Sequence, residues 1–228
     1  MRFSKAIKGI KLLFVSEFFN IASLVFLLMS SVFVLFVTDE ITPEKHPKAY
    51  FAMMTLIVIY IGFGILSFLL QFIGLLIARK DEPMFSRCIL FVVICAVSTV
   101  MMLFASGVFN KINISIEEIS NLLIYVYIIL GIYTIYERTG DKAMMLVSKL
   151  FMLLVTIFYA FILVMHFAIA IVPELDESLG VVTAVLELLS SVFFLIYLGV
   201  VKRMMRLSER EALQSEAATV TEAAAETA

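Results

Sequence analysis

The chain has 228 residues, 63% of them hydrophobic, with a formal net charge of −2 and a mean hydropathy of +1.09. Soluble domains are closer to half apolar, so the composition excludes an ordinary soluble enzyme and gives no basis for nucleic-acid binding. A helix needs about 20 apolar residues to cross a bilayer core roughly 30 Å thick, and six blocks of that order run at about 12–37, 50–78, 88–109, 119–136, 150–172 and 179–201.

Block one follows a basic start of Arg2, Lys5, Lys8 and Lys11. Its apolar run is too long for the core of a cleavable signal and ends at no small-residue cleavage site, so it reads as a retained helix. Ser16, Asn20, Ser23, Leu27 and Ser30 recur at spacings of 4, 3, 4 and 3, with Glu17 beside them. Block two carries Tyr60, Gly64, Ser67, Gln71, Gly74 and Ala78 at the same alternation. Membrane helices associate through small residues and interhelical hydrogen bonds, so both stripes mark inward faces. Block three places Cys88, Cys95, Thr99, Met102 and Ser106 on one side. Its two cysteines lie two helical turns apart, too far to bridge each other. Block four, the shortest, offers Asn121, Tyr125 and Ile128, and the SIEE before it reads as an outer turn. Block five brings Thr156, Tyr159, Leu163 and His166; block six brings Thr183, Glu187 and Ser190 or Ser191. After it, LSEREALQSEAATVTEAAAETA has almost no apolar residue larger than alanine and cannot build a core. The expected organisation is a six-helix transmembrane domain over 1–206 and a flexible Ala/Glu/Thr-rich cytoplasmic tail over 207–228.

Charge orients the spans. Fourteen of the seventeen Lys and Arg residues lie before block one, after blocks two and four, or after block six. The alternate turns carry the acidic TDEITPE, SIEE and PELDES. Short basic loops stay on the cytoplasmic side, so an even number of spans with both termini cytoplasmic is expected, in the plasma (inner) membrane. Gly74, Gly131 and Gly199 precede the three inner exits at matching places, which suggests three consecutive helical hairpins, a pattern that duplication can produce.

A charged group near the bilayer centre costs about 2.5–3.5 kcal/mol on insertion scales, which singles out Glu17, His166 and Glu187. Counted from the turn at Pro173 and from Ser178, His166 and Glu187 share a depth of roughly 9–12 Å and can meet. Counted from Lys11 and Arg79, Glu17 and Gln71 share a depth on the inner side, with Asn20 one turn deeper. Two polar layers follow, Glu17–Asn20–Gln71 inside and His166–Glu187 outside, with Ser98 and Thr99 between. Such layers serve either as hydrogen-bonded clamps or as stations of a substrate or proton path.

No P-loop, strand-borne GxGxxG, HExxH or GxSxG is present. The two histidines are too few for a multi-histidine metal or haem site, so no cofactor, no metal and no enzyme activity are expected. The hairpin layout, and the segment GLLIARKDEPMFSRCILF at 74–91, resemble small, uncharacterised bacterial multi-pass inner-membrane proteins. That resemblance covers less than a tenth of the chain and carries over no functional residue. Two functional expectations stand side by side. One is a permease for a small solute, ion or lipid, its path lined by Glu17, Asn20, Gln71, His166 and Glu187. The other is a non-catalytic scaffold or subunit whose helix faces or tail bind a partner membrane protein or a second copy of this chain, within the lipid bilayer.

Overall fold

The computed structural model describes residues 3–36, 44–102, 104, 108–172 and 176–226. Asp39, Glu40, Ser106, the side chain of Met102 and the turn at Pro173 lie outside the described residues. The described residues form six α-helices and no strand: α1 Ser4–Phe36, α2 Pro47–Ala78, α3 Met84–Met102, α4 Val108–Thr139, α5 Lys142–Ile171 and α6 Asp176–Glu226. All six are long and apolar enough to cross a membrane. Residues such as Phe51, Val58, Ile65, Leu153 and Val164 point large apolar side chains outward, which suits a surface solvated by lipid.

Each helix packs against its neighbours in sequence, and α6 returns to α1, so the bundle closes on itself. The tightest seam joins α1 and α2 along the two small-residue stripes. The Ser16 hydroxyl lies 3.0 Å from the Ser67 carbonyl, the Ser67 hydroxyl donates to the Ser16 carbonyl at 2.9 Å, and Ser23 donates to the Tyr60 carbonyl at 3.0 Å. Below them Gly9 meets Gly74 so closely that a Cβ on Gly9 would stand 2.5 Å from the Gly74 carbonyl oxygen. Positions 9, 16 and 23 thus match 74, 67 and 60. A step of seven along one helix is answered by a step of seven back along the other, the register of an antiparallel pair in left-handed coiled-coil packing.

α4 is the most deeply buried of the six helices. Ile124, Ile128, Ile129, Ile132 and Ile135 are all buried, as are Tyr125 and Tyr136. Phe85 of α3 fills the space that the missing side chain of Gly131 leaves, its ring carbons 2.9–3.1 Å from where a Cβ would stand. The three matching glycines therefore do different jobs. Gly74 and Gly131 admit the preceding helix, whereas Gly199 of α6 sits beside Phe14 of α1.

One end of the bundle gathers the basic turns. Asp81, just after α2, accepts from the backbone N–H groups of Lys5 and Ala6 at 2.8 Å each and so caps α1. Its neighbour Glu82 pairs with Arg138 at the end of α4, 2.8 Å away. Gly140 then takes φ +77°, a left-handed turn that ends α4. Asp141 caps α5 by accepting from the Met144 N–H at 3.0 Å.

Two helix boundaries differ from the sequence reading, and both matter for function. α4 begins at Val108 rather than near 119, so Glu117 and Glu118 are helical residues and SIEE is no turn. Counting apolar residues alone truncated this helix because its first turns carry Asn110, Lys111, Asn113 and the two glutamates. At the other end, α6 continues as helix to Glu226. Alanine and glutamate are strong helix formers, so helical backbone continues past the last apolar residues.

Candidate functional site

Three helices carry polar groups at heptad-like intervals toward one another. Along α4 they are Glu118 and, two turns on, Tyr125; along α5, Tyr159 and, two turns on, His166; along α6, Glu187 and, one turn on, Ser191. α1 adds Glu17 and Asn20. The result is a polar column between α1, α4, α5 and α6 with an upper and a lower cluster.

In the lower cluster, the Glu17 carboxylate is only 2% exposed. Its Oε1 accepts from the Tyr125 hydroxyl at 3.0 Å and from Asn20 Nδ2 at 3.2 Å. Asn20 Nδ2 also reaches Ser191 Oγ at 3.2 Å, and the Tyr125 and Ser191 hydroxyls are 3.3 Å apart. The Phe194 ring meets Tyr125 edge-on, centroids 4.3 Å apart, and seals the cluster. Three helices are tied here by one carboxylate. Glu17, Tyr125 and Ser191 each fall close to the middle of an apolar span, so this cluster lies at mid-depth and not near one face. Measuring from Lys11 misplaced it because α1 begins at Ser4.

Gln71 does not join. The α1–α2 register sets it opposite Leu12, about 7 Å along the axis from Glu17, and the structure gives it no hydrogen bond to Glu17 or Asn20. A shared stripe does not guarantee a shared level.

The upper cluster brings together residues that the chain keeps far apart. One ligand atom from each of Glu118, His166 and Glu187 lies within 4.8 Å of the other two. Glu118 Oε1 is 3.7 Å from His166 Nε2, beyond hydrogen-bonding distance. Glu118 is 8% exposed, and its Oε2 is buried without a hydrogen-bond partner. Beside it Glu117 accepts from Thr99 Oγ1 at 3.0 Å, while Cys95 Sγ stands 3.4 Å from Asn121 Oδ1. Both cysteines are free. Between the clusters the Tyr125 and Tyr159 rings lie 5.7 Å apart, so two phenol rings stand between the layers where the sequence reading placed Ser98 and Thr99.

Of the residues expected to line a path, then, Glu17 and Asn20 meet in the lower cluster, His166 and Glu187 meet in the upper one, and Gln71 stands aside. Glu118, Tyr125 and Ser191 complete the clusters. Glu118 escaped notice because it was counted into a turn. The available signal was its spacing of seven from Tyr125 and of fourteen from the buried Ile132, which puts all three on one face of α4. A histidine with two carboxylates is a donor set able to hold a divalent cation.

No protein-family description, no curated protein and no solved structure matches the chain.

Proposed function

We propose that this multi-pass membrane protein is a permease for a small cation, with its path running down the polar column from Glu118, His166 and Glu187 to Glu17 and Asn20. The observation that carries the reading is the stacking of two buried acidic clusters along the same faces of α4 and α6, joined by Tyr125 and Tyr159. Acidic groups buried at membrane depth mark ion paths and proton relays. Burying a carboxylate at that depth is costly even where it also ties helices together, as Glu17 does, and two such clusters on one axis support a path. No catalytic nucleophile is part of the reading. The chain sits in the plasma (inner) membrane with both termini cytoplasmic, because the basic ends of α1, α2, α4 and α6 obey the positive-inside rule. Glu118, His166 and Glu187 then stand toward the outer face and receive the ion first.

The test is cation flux into liposomes that contain the purified protein. Glu187→Gln and Glu17→Gln are expected to abolish flux while the protein remains monodisperse. Flux unchanged in both variants rules out the column as the path.

A scaffold reading has one observation in its favour: α6 continues as helix beyond the apolar span to Glu226, a shape suited to docking a partner. It requires a second polypeptide to co-purify at fixed stoichiometry, with that association lost on deletion of residues 209–228.

A further inference from the structure

We propose that Glu118, His166 and Glu187 form a binding site for a divalent transition-metal cation of the zinc or manganese class, and that this cation is the cargo. The second half rests on the permease reading; the first stands on the geometry of the upper cluster.

The donor set is specific in kind. One imidazole nitrogen and two carboxylates suit borderline first-row metals, whereas calcium and magnesium prefer oxygen alone. The three donors come from three helices, so binding requires the folded bundle. They lie within 4.8 Å of one another. A cation with bonds of about 2.0–2.2 Å holds its ligands some 3–4 Å apart, so the set closes on an ion through side-chain rotation of an ångström or so. Three protein ligands leave a coordination position for water, as a site that must release its ion needs.

The local electrostatics point the same way. Besides His166, Glu118 has two other carboxylates for neighbours, Glu187 and Glu117, and their negative charges act on it. Glu117 acts on Glu187 as well. On α2, the Tyr60 phenol lies close enough to feel both Glu117 and Glu187. Glu118 Oε1 and His166 Nε2 stand 3.7 Å apart, within the separation that two ligands of one cation keep. Glu118 Oε2 is an independent sign. It is a buried carboxylate oxygen that makes no hydrogen bond, and such an atom costs free energy unless a donor or a cation meets it.

The experiment uses the full chain in lipid nanodiscs, with Zn2+ and Mn2+ titrated by calorimetry, followed by Zn2+ uptake into proteoliposomes that hold a fluorescent indicator. Wild-type protein is expected to bind one equivalent. Glu118→Gln and His166→Ala should each weaken binding about 100-fold or more, since loss of even an outer-shell partner costs 10–100-fold. Glu137→Gln, exposed near the far end of α4, should bind as wild type. Absence of saturable binding to the wild-type chain overturns the site whether or not the variants fold. Binding that neither site variant changes overturns it too, since the ion is then held elsewhere. Saturable binding with no uptake upholds the site and overturns the permease reading. Uptake of another cation without Zn2+ or Mn2+ binding upholds the permease reading and overturns this one.

Discussion

α2 and α4 are both 32 residues long and both able to span a bilayer, yet they occupy opposite environments. In the most apolar stretch of α2 the mean hydropathy is 2.4 and 6% of the residues are buried within the protein; in that of α4 the values are 1.8 and 50%. In water the greasier helix would be drawn inside. In lipid the tails solvate apolar side chains as well as a protein core does, so hydropathy does not rank helices by burial. What buries α4 is its capacity for specific contacts: Tyr125 to Glu17, Asn121 to Cys95, Glu117 to Thr99 and Gly131 to Phe85. Among the described residues, the interhelical hydrogen bonds of α2 all go to α1.

Four substitutions test that contrast, read by thermal unfolding of the purified protein in nanodiscs. Ile128→Ala, at a fully buried position of α4, is expected to cost about 2–5 kcal/mol, because the cavity cannot collapse among packed helices. Gly9→Ala comes next, at about 1–3 kcal/mol. Its new methyl group meets the Gly74 carbonyl and Ala78, and backbone gives way less readily than a side chain. This locates the one demanding edge of α2. Tyr125→Phe removes a donor to Glu17 while Asn20 still donates, for a loss of about 1 kcal/mol. Val58→Ala, on the face of α2 that points away from the bundle, is expected to stay within about 0.5 kcal/mol. A loss there as large as that of Ile128→Ala would break the comparison, and would mean that another protein rather than lipid covers this face of α2.

The seam of α1 and α2 was legible residue by residue. Ser16, Ser23, Tyr60, Ser67 and Gly74 repeat with a period that already states which sides face inward; Gly9, which continues the α1 stripe one heptad earlier, came only with the start of α1 at Ser4. The upper cluster was legible only by halves. His166 and Glu187 flank one short turn, so similar distances from it put them at one level. Glu118 lies 48 residues before His166 and looked like part of a polar turn, because a polar first turn of a helix and a polar loop read alike in composition. Gln71 shows the reverse failure: its stripe was identified correctly, but its level was not, since the five residues of helix between its opposite number Leu12 and Glu17 displace a side chain by about 7 Å along the axis.

By itself the sequence determined that there are six helices, roughly where they run, which turns are basic and which acidic, and which faces carry small residues. Those properties are local, because a chain that crosses lipid must satisfy its own backbone hydrogen bonds within each segment, and segment length is set by the bilayer. Only the tertiary structure decided that α4 is the most buried helix, that Glu17 meets Tyr125 and Ser191 at mid-depth, and that Glu118, His166 and Glu187 converge. Each of those meetings depends on how far a helix is turned about its own axis and slid along it. Several helices packed together fix both quantities, and no single segment contains them.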